Sequence, residues 1–196
     1  MTETKVTDRR HAIAESNVEA ILDGAERLLH EGRQPSISAV AKEAGVSRVT
    51  VYSHFEDRRR LLEALVERTV RRTTETVSAD EPERGPATDA LHRVIETSWL
   101  ELGRHETVAR ASLAELGVEA IVRSHASARK MIRRLIDRGR REGAFRKDVR
   151  AEWLAASFVA LIHAAAEEVL AGRLKRKEAL ETLSVTLTDL FAGPNR

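Results

Sequence analysis

Apolar residues recur along most of this chain at intervals of three and four and almost nowhere at every second position, a pattern that predicts helices rather than strands. Val18, Ile21, Leu22, Ala25, Leu28 and Leu29 form one stripe, preceded by a capping pair, Ser16 and Glu19, and closed by Gly32. Ser36 is placed to cap a short second helix through Ala44, Gly45 to turn the corner, and Ser47 to cap a third. Asp57 then opens a fourth helix, with Leu61, Leu62, Leu65, Val66, Thr69 and Val70 along its buried side. The segment 79–86, with Pro82 and Pro86, reads as a linker. Beyond it Leu91, Val94, Ile95, Ser98 and Leu102 mark another amphipathic helix. Further helices are predicted near 106–116, 118–142, 151–171 and 175–191, separated by Gly117, the turn 143–148 and Gly172. The expected fold is all-α, with about nine helices: a flexible arm over 1–15, a three-helix helix-turn-helix domain over 16–56, a connecting helix over 57–78 and a second helical domain over 79–196.

Composition narrows the classes of function more than it selects one. A chain of 196 residues, 42% hydrophobic and 33% charged, can bury one or two modest cores and suits a globular, cytoplasmic protein. Without cysteine there is no disulfide framework, thiol nucleophile or Cys-ligated zinc. The first sixteen residues are polar, unlike a signal peptide, and the longest apolar stretch, Trp153 to Ala166, falls short of the ~20 residues that span a bilayer. No membrane partner is therefore expected. The net charge is +2, and residues 1–60 hold ten Lys/Arg against ten Asp/Glu, so global charge decides nothing about nucleic acid.

The chemistry concentrates in residues 36–60. Val40, Ala41, Ala44, Val46, Val51 and Phe55 can form the wedge shared by two crossing helices, with Ala41 small enough for the third helix to pass close above it. Ser47, Arg48, Thr50, Tyr52, Ser53 and His54 are left on the outer sides of the third helix. Arginine can bond guanine through two N–H groups, while hydroxyls and imidazole suit phosphates or base edges. Arg58, Arg59 and Arg60 open the next helix against its own dipole, an arrangement easier to understand beside a polyanion. Two packed helices of no further purpose would account for the corner alone, but not for the small residue, the glycine, the polar face and the arginine cluster together.

The run from Ala20 to Leu65 resembles the N-terminal domain of TetR-family transcriptional regulators. The resemblance rests on Ile21-Leu22-x-x-Ala25, on Val40-Ala41-x-x-Ala44-Gly45-Val46-Ser47, on Thr50-Val51-Tyr52-Ser53-His54-Phe55 and on Arg58. It covers roughly the first third of the chain. It implies that Thr50, Tyr52, His54 and Arg58 contact backbone phosphates and that Arg48 and Ser53 read base edges, with Ser47 and Val49 beside them. Two positions depart from the family pattern: Gly24 stands where alanine is usual, and Val49 where glycine or alanine is common.

The same resemblance implies that 79–196 binds a small-molecule effector and forms a homodimer through the helices near 151–171 and 175–191. A dimer follows too from the need for two reading helices on a palindromic DNA operator, ~34 Å apart. The alanine-rich stretch 151–172 lets a partner helix approach closely, and Leu180, Leu183, Leu187, Leu190 and Phe191 supply a matching stripe. Candidate effector-pocket residues are Trp99, Leu102, Leu113, His125, Met131, Phe158, Ile162 and His163. The histidines lack metal-ligand spacing, apart from an ambiguous His163–Glu167 pair, so neither a metal nor a cofactor is expected. Residues 129–147 carry nine Lys/Arg and two acids around a face of Met131, Ile132, Leu135 and Ile136, which reads as a solvated helix surface. The expected function is a ligand-responsive regulator, most simply a repressor released from its operator by the effector. The alternatives are a helical enzyme, for which no nucleophile elbow, phosphate loop or metal cluster speaks, and a helical module indifferent to DNA.

Overall fold

A computed structural model describes residues 2–79 and 83–192, with side chains described at 13–79, 83–111, 115–117, 120 and 123–192. The described residues are all-helical: α1 (Thr2–His30), α2 (Ile37–Ala44), α3 (Arg48–His54), α4 (Arg58–Ala79), α5 (Ala87–Arg104), α6 (Glu106–Ser124), α7 (Ala126–Arg141), α8 (Ala151–Leu170) and α9 (Arg176–Ala192). They form two compact units. One comprises Met1–Arg68 with Thr107–Ile121; the other comprises Thr69–Glu106 with Val122–Arg196. The first unit therefore takes in part of α6, a segment far away in sequence.

Local chemistry sets the helix ends as the pattern predicts. The Ser36 hydroxyl accepts from the Ala39 N–H at 3.2 Å, the Ser47 hydroxyl from the Thr50 N–H at 3.0 Å, and the Asp57 carboxylate from the Arg60 N–H at 2.8 Å. Three expectations change. Ser16 lies inside α1, because the polar residues before it contain no glycine or proline and the helix runs back to Thr2. The single helix expected over 118–142 is interrupted at His125, whose φ/ψ of −88°/12° are not helical and whose ring is bonded to Ser124. The apolar stretch beginning at Trp153 is part of one 20-residue helix, α8, which by length and composition alone is apolar enough to cross a bilayer. Its Leu154, Ala155, Phe158 and Ile162 are instead buried in the core of the second unit.

In the first unit, Ile21, Ala25 and Leu28 of α1 pack with Val40 and Ala41 of α2, Val51 of α3, and Leu61, Leu62 and Leu65 of α4, all fully or nearly fully buried. Among these apolar groups sits one charge, Arg68, with 1% of its surface exposed. Its guanidinium reaches three carboxylates on successive turns of α1: Glu19 at 3.2 Å, Asp23 at 2.7 Å and Glu26 at 2.7 Å.

The second unit is built on α7, α8, α9 and α5 around Trp99, Ile136, Leu154, Phe158, Leu187 and Phe191. Phe145, from the turn after α7, meets Phe191 edge-on at 5.5 Å between ring centroids. The ring lies against Gly139, where a Cβ would fall 2.1 Å from Cδ2 of Phe145, so only glycine fits. Arg176 lies across α5 in a similar way. It passes over Gly103, stacks 5.1 Å from the Trp99 ring centroid and donates to the Trp99 carbonyl at 3.1 Å. The basic stretch is also spent on structure. Arg140 donates to the carbonyls of Arg146 and Val149, Arg138 to those of Glu83 and Gly85, and Arg133 pairs with Glu152 at 2.7 Å.

Removing the buried cation leaves three carboxylates facing one another. Arg68→Ala is expected to lower unfolding free energy by about 3 kcal/mol, and Arg68→Met, which restores packing but not charge, by less. Urea denaturation of the three proteins measures both.

Candidate nucleic-acid interface

The corner between α2 and α3 is closed by backbone chemistry. Gly45 adopts φ 69°, ψ 24°, the left-handed conformation that costs glycine least. Its N–H bonds the Lys42 carbonyl, and the Val46 N–H bonds the Ala41 carbonyl at 3.0 Å, the pair of bonds that typically terminates a helix on glycine. Gly24 explains its departure from alanine. A Cβ there would come 3.3 Å from the Ala44 nitrogen and 3.4 Å from Cβ of Glu43, so its absence lets the end of α2 settle onto α1. Arg27 fastens the contact through Glu43, bonding its carboxylate at 3.0 Å and its carbonyl at 3.1 Å.

On this support α3 turns Val51 inward, fully buried, and leaves a polar face outside. Ser47, Arg48 and Ser53 are exposed, Thr50 and His54 partly so; Tyr52 is 49% and Val49 77% exposed. A valine that open, among polar neighbours, offers an apolar contact such as a thymine methyl requires. The hydroxyls are already organised: Thr50 Oγ1 and Ser47 Oγ are 2.9 Å apart, and Ser53 donates to the Thr50 carbonyl at 2.8 Å. Arg48 has no partner among the described residues, which leaves all its donors available. The first turn of α3 holds no acid to repel a phosphate. The sequence-derived residues on α3 thus share one exposed surface.

Arg58 differs. Its guanidinium bonds both Gln34 Oε1 and Glu115 Oε1, each at 2.5 Å. Neither partner figured among the sequence-derived site residues; Glu115 is 57 positions away, and no local spacing announces it.

The second candidate cluster lies within the second unit. Trp99, Phe158 and Ile162 are buried in its core, and Leu102 and Met131 pack partly buried against it. Met131 Sδ accepts from the Ser78 hydroxyl at 3.6 Å. The Leu113 side chain lies outside the described residues. His125 and His163, 38 positions apart, are brought together, with 3.0 Å between their Nε2 atoms and the rings edge-to-face. Ser124 Oγ is 3.2 Å from the other nitrogen of His125. Burial, and secondarily the charge of His125, pushes His163 down to about 4. Among the described residues no group of three or more His, Cys, Asp or Glu could hold a metal ion.

Residues 21–65, which span α1 to α4 and include this surface, match the family model of bacterial regulatory proteins, tetR family. Over these residues the chain is similar to the tetR family. The HTH-type transcriptional repressor LfrR of Mycolicibacterium smegmatis is 36% identical over 84 residues, a stretch covering 43% of this chain and 44% of that protein. The chain thus matches less than half the length of this curated relative. Solved structures extend the likeness in fold to nearly the whole molecule. A TetR-family regulator from Rhodococcus sp. is 25% identical with a TM-score of 0.68, covering 91% of this chain and all of its own. LfrR from Mycobacterium smegmatis in complex with proflavine is 23% identical with a TM-score of 0.63, covering 92% of this chain and 98% of that one. A regulator from Syntrophomonas wolfei reaches a TM-score of 0.74 at 16% identity, covering 95% and 98%.

Burial of His163 makes stability depend on pH. Folded His163 stays neutral down to about pH 4, whereas in the unfolded chain it takes up a proton near its ordinary 6.5. Between those values protons favour the unfolded chain, so this contribution is complete above pH 6.5 and is lost as pH falls towards 4. Melting temperatures of the natural protein and His163→Gln, compared from pH 7.5 to 5, should show the steeper fall in the natural protein.

Proposed function

We propose that this protein is a tetR-family, ligand-responsive transcriptional repressor that binds a palindromic operator as a homodimer and is released by a small-molecule effector. The observation that carries the reading is the solvent face of α3, where an unpartnered Arg48, an exposed Val49, Tyr52 and three ordered hydroxyls stand together on a buried, capped support. Arg48 and Ser53 read base edges. Thr50, Tyr52, His54 and, once freed from its protein partners, Arg58 hold phosphates, with Ser47 and Val49 completing the surface. The reading head comprises 16–56, the connecting helix 57–78 and the effector-binding and dimerisation domain 79–196.

Dimerisation uses α8 and α9. Their exposed surfaces include Trp153 (66%) and Val185 (63%), and α8 also exposes the small residues Ala160 and Ala164, over which a partner helix can pass closely. The effector site draws on Leu102, Met131, His125 and His163, bordered by Trp99, Phe158 and Ile162, with Leu113 as a further member. The histidine pair supplies its polar contact. An effector needs only to bind the DNA-incompetent state more tightly, and a coupling of about 1–3 kcal/mol suffices.

Electrophoretic mobility shifts on DNA flanking the gene test the reading, with a salt-sensitive specific complex as the expected result. Tyr52→Phe should weaken all operator variants alike, whereas Arg48→Ala should flatten the preference at a single base pair by about 1–3 kcal/mol. Equal loss on every variant would remove Arg48 from base reading. In sedimentation equilibrium the natural protein should run as a dimer and Val185→Glu should shift it towards monomer.

A further inference from the structure

We propose that Glu115 competes with DNA phosphate for Arg58 and thereby sets how tightly the protein holds any DNA. This rests on the reading of Arg58 as a phosphate contact.

The start of α4 poses an electrostatic problem. Arg58, Arg59 and Arg60 occupy its first turn, which holds no acid, and the positive end of a helix dipole repels cations. The problem is met by part of α6 belonging to the same compact unit. Gly117, at φ 74° and ψ 165°, breaks α6, so residues 115 and 116 form the last turn of its first half, the negative end of that half-helix. Arg59 donates to the Leu116 carbonyl at 3.0 Å, and Arg58 pairs with the Glu115 carboxylate. Arg60 turns away to Glu63 at 2.7 Å. Of the three, Arg58 is the most enclosed, with 34% side-chain exposure against 56% and 63%. Its Nε is buried without a hydrogen bond.

Arg58 therefore faces two anionic partners that exclude each other in part. The Glu115 carboxylate occupies the same guanidinium nitrogen, Nη2, that bonds Gln34. A phosphate can take full benefit of this arginine only by loosening that pair. Because the pair is partly exposed, its strength is modest and the exchange is feasible in either direction. Glu115 acts through Arg58, without itself touching DNA, and its effect falls on specific and random sequences alike.

The test measures binding of a fluorescein-labelled random-sequence duplex at low salt by fluorescence anisotropy, using the full chain and the variants Glu115→Gln, Arg58→Gln and the double variant. Glu115→Gln should tighten binding roughly fivefold, Arg58→Gln should weaken it, and Glu115→Gln should have no effect where Arg58 is already glutamine. Tightening that persists in the Arg58→Gln background would overturn the proposal, since it would show general repulsion between an acid and DNA. Unchanged or weaker binding by a folded Glu115→Gln also overturns it. If Arg58→Gln binds as well as the natural protein, the phosphate role of Arg58 has failed and the competition fails with it. If the natural protein binds neither this duplex nor any flanking DNA, the regulator reading itself has failed. Circular dichroism establishes folding, and Glu115→Ala provides a second variant expected to shift in the same direction.

Discussion

The contact between Arg68 and α1 is the constraint on which the reading head depends. A nearly fully buried guanidinium has few stable surroundings, because it needs an anion at hydrogen-bonding distance and only certain placements supply one. Here three carboxylates spaced four and three residues apart along α1 meet it on one face. Apolar packing by Leu61, Leu62 and Leu65 would tolerate some sliding of α4 along α1; a forked donor against three fixed acceptors tolerates much less. With α4 fixed, α2 and α3 have a defined cradle, and a shift in where α3 sits would move every side chain on its outer face at once.

The local part of this architecture was legible from the residues. Ser36, Ser47 and Asp57 are helix caps because a short oxygen-bearing side chain before an apolar run satisfies an orphan N–H, and a window of four residues is enough to recognise it. Gly45 was legible for the same reason. The outer face of α3 followed from Val51 alone: once that residue points inward, helical geometry dictates where Arg48, Tyr52 and Ser53 must stand.

What escaped sequence reasoning depended on distance along the chain. The partners of Arg58 and Arg68, the pairing of His125 with His163 and the recruitment of 107–121 into the first unit each join residues tens of positions apart. Nothing at either end of such a pair marks the other. Arg58 illustrates the difference between type and circumstance. An arginine opening this helix suits a phosphate by residue type, yet its environment also contains a carboxylate that suits it equally. Ser16 shows the opposite failure, since a good cap signal was overridden because the residues before it continue the helix without interruption.

One feature of the second unit also has a practical side. The chain has two tryptophans, and they occupy opposite surroundings. Trp99 is sealed in the core at 3% exposure beneath the guanidinium of Arg176, whereas Trp153 stands on α8 at 66% exposure. An indole in an apolar setting emits at shorter wavelength than one in water, so with α8 uncovered the emission has a blue band from Trp99 and a red band from Trp153, and the red band shifts when a partner covers α8. The red band follows the surface of α8 and the blue band the integrity of the core under Arg176. The molecule carries a two-colour reporter that distinguishes burial of an outer face from loosening of the interior, with no label attached.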